Sequence, residues 1–334
     1  MFPLYATPKL LKAGITKNLN WRNYKVGFDF YFAGTQHHSA DDLVVELNGN
    51  FLRSYFNDKS QIRKFIELKK QGKWHGKLLV DSGAFTSWTK GVEICPDEYI
   101  NYINENCDYV DYFIQLDKIP GTPDQPPTLE QAKQSTEESW QNYLYMLEKV
   151  KCPNKILPVF HKREPQEFLK QIIEHKVNGE YVPYICLGGL ARIKNHAETE
   201  QWYIRCFDTI QRSKNPNVKV HNLGNANFKM LEKYPFYSSD AASWLRAGSV
   251  GYLMSHYSLI CVSDNLSNRF NHIENIPKQY KEYVVNNCKK WGLDFESLKT
   301  DYKARSLYNI HYLTDRAKNY EYIGNTCFKK KKLF

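Results

Sequence analysis

Four short stretches of this 334-residue chain end an apolar run in groups able to do chemistry. Leu78-Leu79-Val80 runs into Asp81, Ser82, Gly83, Ala84 and Phe85, and Phe113-Ile114-Gln115-Leu116 runs into Asp117. Tyr184-Ile185-Cys186-Leu187 leads to Gly188-Gly189-Leu190, and Phe236-Tyr237-Ser238-Ser239 leads to Asp240. A carboxylate at the C-terminal end of a buried strand is where α/β barrels keep their chemistry. Three such carboxylates around one pocket suit cation binding through oxygen, proton transfer, or substitution at an acetal-like carbon. Substitution at a sugar C1′ needs one carboxylate as nucleophile and another as acid or base, and its oxocarbenium-like transition state is stabilised by a nearby anion. Gly188-Gly189 lets backbone N–H groups approach a flat ligand edge, and Phe85 offers an aromatic face on which that ligand stacks. The pattern is that of an enzyme.

Taken singly, each residue also has a purely structural explanation. Asp81 before Ser82-Gly83 can cap its own turn, and Asp117 can serve the turn at Pro120-Gly121. Asp240 can be the N-cap of a helix beginning near Ala241-Ala242-Ser243-Trp244, and Gly188-Gly189 can hold a phosphate. Taken together, the four leave that explanation much weaker. Two other functions compete. A lyase or aldolase acting on a phosphorylated small molecule would show a Schiff-base lysine or a metal cluster at the strand ends. Lys118 directly follows Asp117 and is expected to point away, while His161 and His221 are strand-end histidines without a motif partner. A non-catalytic nucleic-acid-binding barrel is the other competitor.

The elements that would position these groups can be read forward along the chain. Strands are expected at Phe28–Gly34, Asn50–Phe56, Leu78–Gly83, Tyr109–Asp117, Lys155–His161, Tyr184–Leu190, Val218–Gly224 and Phe236–Ala241. Between them, apolar residues at three and four spacing predict helices at Gln61–Lys70, Thr128–Val150, Glu164–Lys176 and Thr199–Gln211, with a brief one near Asn225–Lys233. Eight alternating strand–helix units predict a (β/α)8, TIM-like barrel. The barrel is expected over residues 1–264, with a basic helical C-terminal appendage over 265–334.

Composition sets outer bounds. No window approaches the ~20 apolar residues of a membrane span, and the start lacks a basic segment followed by an apolar block. The eight cysteines (95, 107, 152, 186, 206, 261, 288 and 327) form no Cys-x-x-Cys pair. These features predict a cytoplasmic protein with reduced thiols and no membrane partner. Net charge is +10, from 35 Lys and 11 Arg against 36 acidic residues. That balance suits polyanions but equally a solvated lysine-rich surface.

The motifs resemble those of the tRNA-guanine transglycosylase superfamily. Asp81-Ser82-Gly83-Ala84-Phe85 is similar to its Asp-Ser-Gly-Gly-Phe/Tyr motif, and Leu187-Gly188-Gly189-Leu190-Ala191 to its Gly-Gly-Leu-Ala motif. The resemblance covers roughly residues 28–250 at the level of strand order. It implies a (β/α)8 barrel that exchanges a base at C1′ of a nucleotide without a cofactor. Asp240 would be the nucleophile and Asp81 the general base. Ser82, Phe85, Asp117, His161, Gly188, Gly189, Leu190 and Arg246 would surround the substrate. The tRNA enzymes carry a Cys-x-Cys-x-x-Cys…His zinc site after the nucleophile strand, whereas Cys261, Cys288 and Cys327 stand alone here. Their fifth-strand glutamine is replaced by Val159-Phe160-His161. The chain looks more like the zinc-less phage and bacterial enzymes that insert 7-deazaguanine derivatives into DNA. The partners implied are DNA, with tRNA as the alternative, and a base such as 7-cyano-7-deazaguanine. If phage-encoded, the protein would act in the host cytoplasm. Trp291, Lys289, Lys290, Lys303, Arg305 and Lys329–Lys332 would grip the polymer.

Overall fold

The computed structural model describes residues 27–34, 38–122, 124–190 and 196–323. Ala191, Cys327 and Lys329–Lys332 lie outside them. Eight parallel strands form the centre: β1 (Asp29–Ala33), β2 (Asn50–Ser54), β3 (Leu78–Asp81), β4 (Tyr112–Ile114), β5, β6 (Tyr184–Gly188), β7 (Lys219–Asn222) and β8 (Ser238–Ala241). β5 consists of Ile156–Leu157 and Val159–His161, separated by Pro158. Its first half pairs with β4 and its second with β6. β1 pairs with both β2 and β8, so the sheet curls round on itself as a TIM-like barrel. Proline lacks the N–H that a ladder position donates. The chain therefore changes partner at Pro158, while its carbonyl still accepts from Cys186 N at 2.8 Å. All eight expected strands are present, each trimmed at one or both ends.

The trimming at the C-terminal end of β4 has a visible cause. Gln115 N still donates to Leu157 O of β5 at 3.0 Å, and beyond it the backbone turns to the helix α5 (Leu129–Lys149) for its hydrogen bonds. Asn142 donates to Leu116 O at 3.0 Å, and Ser139 Oγ accepts from Lys118 N at 2.8 Å. α5 is in turn started by a Thr128–Gln131 capping box. The strand exit carrying Asp117 is thus held by a helix rather than by a neighbouring strand.

Period-two alternation divides the side chains into two layers. Tyr31, Leu79, Ile114, Leu157, Val159, Tyr184 and Cys186 fill the barrel interior as one buried cluster. Outward-facing residues such as Phe30, Phe51, Val80, Phe113 and Ile185 pack against the helices. The helices α2 (Lys59–Lys70), α6 (Gln166–Glu174) and α7 (His196–Arg212) follow the expected apolar spacing. Beyond β8 come α9 (Ser243–Ser249), α10 (Lys278–Trp291) and α12 (Tyr302–Lys318), where numbering runs over all helices in chain order. α12 packs on α9, on α1 (His38–Glu46) and on β1. Among the described residues, no helix is long and apolar enough to cross a membrane.

Arg305 of α12 corrects one expectation. It is 5% exposed, and its guanidinium donates to Gly248 O at 2.7 Å and Leu298 O at 2.8 Å. It satisfies carbonyls at the ends of two short helical segments and is not available to grip a polymer. Trp291 is stacked on His311 with ring centroids 5.2 Å apart, and Lys290 is paired with Asp315.

A second buried arginine ties the barrel to its helical layer. Arg53 of β2 donates to Phe32 O at 2.7 Å and to Asp41 Oδ1 of α1 at 2.9 Å. Removing one partner of a buried pair strands the other charge at a cost of about 3–5 kcal/mol. Asp41→Ala is expected to lower urea-unfolding stability by roughly that amount. A loss below about 1 kcal/mol, the size of an exposed pair, would contradict this assignment.

Candidate active site

The C-terminal ends of the strands bring Asp81, Asp117 and Asp240 to one mouth. Cys186, buried on β6, lies among them: burial raises its thiol pKa well above the usual range, and Asp240, Asp117 and Asp81 raise it further. Each aspartate is held differently.

Asp240 is buried at the end of β8. Its Oδ1 accepts from Gly224 N at 2.8 Å and lies 3.1 Å from His221 Nε2. His221 sits on β7, in register with Ser238 and one strand from Asp240. Its other ring nitrogen is 2.5 Å from Ser238 Oγ, which also bonds the Tyr184 hydroxyl.

Asp117 is buried just past β4, with Oδ2 2.5 Å from His161 Nε2 on the adjoining strand. Burial favours neutral His161, yet the hydrogen bond and charge of Asp117, with Glu164, outweigh it and raise the imidazole pKa. Glu164 Oε2 caps the turn by accepting from His161 N at 2.7 Å. Its own carboxyl is pushed up to about 7, chiefly by burial, against the lowering effect of His161.

Asp81 ends β3, partly buried. Its Oδ2 accepts from Gly83 N at 3.0 Å, so it does cap its own turn. Its pKa rises to about 7, first through burial and then through Asp117, with Asp240 and Asp58 adding to the effect. An N–H from Gly83 offsets only part of this. Capping and chemistry are compatible in one carboxyl.

Glycine is required at one point nearby, and a second glycine leaves room that a side chain would crowd. Gly83 has φ +91°, and a Cβ there would come within 2.4 Å of Phe56 Cβ. At Gly188 a Cβ would meet His161 Nδ1 at 3.1 Å and Leu223 Cδ1 at 3.2 Å. The small residue at 188 therefore makes room for the imidazole as well as for any ligand.

Around the mouth, Phe85 opens the short helix α3 (Ala84–Lys90) and is 43% exposed, with its ring 5.8 Å from that of Trp88. Trp88 Nε1 donates to Gly121 O at 2.8 Å, tying α3 to the proline-rich loop after Asp117. Ser82 is buried, and its hydroxyl accepts from Ala84 N at 3.3 Å. Gly189 has φ +79°, and Leu190 packs against the core. Arg246 is exposed on α9. Lys118 points outward, its Nζ 3.9 Å from Glu93 Oε1.

Thus the mouth collects the three aspartates with His161, Gly188 and Gly189, and Phe85 and Arg246 stand exposed beyond. Sequence reasoning left both histidines without partners, and the structure supplies one for each. The missing signal was alternation: Ser238 and Asp240 share a strand face, and His221 is Ser238's neighbour on the next strand. Glu164 and Tyr184 were not singled out at all. Arg163, exposed between His161 and Glu164 with φ +85°, was also missed. That backbone conformation is uncommon for a non-glycine residue and clusters at functional sites.

No model of a known protein family matches the chain, and no curated protein matches it either.

The Asp81 titration makes a stability prediction. A carboxyl raised to about 7 in the folded state, from 3.8 when exposed, holds its proton more tightly when folded. That contribution is fully present below the unfolded pKa and is lost as pH rises through about 7. Asp81→Asn is expected to be more stable than the parent at pH 8 by a few kcal/mol, at about 1.4 kcal/mol per pKa unit. Urea melts should show the gap closing as pH falls toward about 4. A gap that does not vary with pH would contradict the raised pKa.

Proposed function

We propose that this protein exchanges guanine in DNA for a 7-deazaguanine base through a covalent glycosyl-aspartate intermediate. The observation that carries this reading is the division of labour among the three aspartates. One has an oxygen held by a backbone N–H and facing a histidine nitrogen, one is paired with a second histidine, and one has a pKa of about 7. A double displacement at C1′ needs a nucleophile, a group to read the base, and a proton carrier that works in both directions.

Asp240 attacks C1′ as the C1′–N9 bond breaks, and the bonding electrons leave with guanine. Asp81, with its pKa of about 7, can give the departing base its proton. It then takes the ring N–H proton of the incoming 7-deazaguanine. That nitrogen attacks C1′, the ester bond breaks, and Asp240 is regenerated as carboxylate. The proton count closes on each cycle. Asp117 accepts from the base edge with the oxygen that His161 does not occupy, the backbone of Gly189 and Leu190 supplies further contacts, and Phe85 stacks on the ring.

A base within a duplex reaches the mouth only if flipped out, which costs a few kcal/mol. Exposed Phe85 offers stacking to offset that cost, and exposed Arg163 and Arg246 offer phosphate contacts. The same chemistry serves tRNA. DNA is preferred because the cysteine–histidine zinc run of the tRNA enzymes is missing from the sequence after Asp240.

Two variants test the roles. Asp240→Asn is expected to bind DNA with unchanged affinity, lose at least ~10³-fold in exchange, and give no protein–DNA adduct on a denaturing gel. An undiminished adduct would remove Asp240 from the nucleophile role. Asp81→Asn is expected to slow both guanine release and completion of exchange, by at least ~10²-fold, and full exchange by this variant would contradict its role as proton carrier.

A further inference from the structure

The interior of the barrel beneath Asp240 holds a continuous hydrogen-bonded chain in mainly apolar surroundings, with the Tyr31 ring packed edge-on to His221 at 5.7 Å. Tyr184, Ser238 and His221 are each no more than about 1% exposed, and Leu79, Ile114, Leu157 and Val159 belong to the same interior layer. Burying three polar side chains at a barrel centre is costly unless every bond is made. Their bonds run in one line: Tyr184 hydroxyl to Ser238 Oγ, Ser238 Oγ to His221 Nδ1 at 2.5 Å, and His221 Nε2 to Asp240 Oδ1 at 3.1 Å. The line ends on the carboxylate and nowhere else in the mouth.

We infer that His221 is a positioning residue for Asp240, and that it selects Oδ2 as the attacking oxygen. This rests on the transglycosylase reading. A carboxylate that attacks carbon is ionised, so the ring nitrogen facing it must carry a proton. With the proton on Nε2, Nδ1 accepts from the Ser238 hydroxyl, and Ser238 accepts from the Tyr184 hydroxyl. The alternative tautomer would set the Nε2 lone pair against the carboxylate. The carboxylate thus sets which nitrogen is protonated, and the serine and tyrosine hydroxyls orient to match it.

Oδ1 receives two donors, His221 Nε2–H and Gly224 N–H, at 3.1 and 2.8 Å. Oδ2 is left to form the bond to C1′. In the ester intermediate Oδ1 becomes the carbonyl oxygen. When the incoming base attacks, the C1′–Oδ2 bond breaks, its electron pair returns to the carboxylate, and negative charge reappears on Oδ1 in front of donors already in place. Donors aimed at developing charge are worth ~10²–10³ in rate. His221 therefore acts mainly on the second step, adduct breakdown, and touches neither base.

Single-turnover kinetics with guanine-containing DNA and 7-cyano-7-deazaguanine separate the two steps. His221→Leu keeps the volume and removes the donor. Breakdown of the adduct is expected to slow ~10²-fold, with the KM for the incoming base unchanged. His221→Gln, which returns an N–H near the Nε2 position, is expected to recover most of that loss. Equal breakdown rates in the parent and the leucine variant would overturn the inference, as would equal losses in the leucine and glutamine variants. Should the leucine variant not fold, the parent protein gives the answer by ¹⁵N NMR. An Nε2–H imidazole at His221 supports the inference, and an Nδ1–H tautomer overturns it. A parent protein that forms no adduct at all would instead refute the transglycosylase reading, which keeps the two failures distinct.

Discussion

Like charges cannot share a low-dielectric pocket uncompensated, and this barrel places three carboxyl groups in one mouth. The structure answers with a different partner for each. Asp117 meets the His161 imidazole, Asp240 meets His221 and a backbone N–H, and Asp81 holds its proton up to a pH of about 7. Two histidines are therefore as much a part of the site as the acids they face. The unequal solutions are what make the acids chemically unequal.

That arrangement depends on features of the scaffold distant from any reacting atom. Pro158 divides β5, and the second half delivers His161 beside β6 at Gly188. Gly188 leaves space for the ring. α5 intercepts the backbone after β4 and so sets where Asp117 stands. The interior of the barrel is mainly apolar, with the Tyr184–Ser238–His221 line as its polar thread. A site of this kind is built on strands and short turns, which hold geometry better than long loops.

Much of this was legible before any coordinates. Apolar runs of strand length, separated by helical periodicity, marked the strands most clearly where burial on both faces leaves a continuous signal, as in Leu78–Asp81 and Tyr184–Gly188. The strand-end aspartates were visible for the same reason: a charge ending an apolar run stands out. What stayed hidden were the pairings. His161 and Asp117 are 44 residues apart, and His221 and Asp240 are 19 apart. Nothing local in the sequence announces either contact, since barrel closure creates them. Arg305 misled for the opposite reason. A basic residue in a lysine-rich segment looks solvated, and only the packing of α12 against α9 shows that its guanidinium is spent on backbone carbonyls.

The central claim is that these three unequal acids serve base exchange at C1′. The most direct test incubates the full chain with DNA and, separately, with tRNA, each carrying labelled guanine, and adds 7-cyano-7-deazaguanine. Release of label from DNA that requires the added base is the predicted result. Release from tRNA alone would keep the chemistry and move the substrate. Label retained in both, across several 7-deazapurines, would contradict the account and leave the carboxylates of this mouth to another reaction.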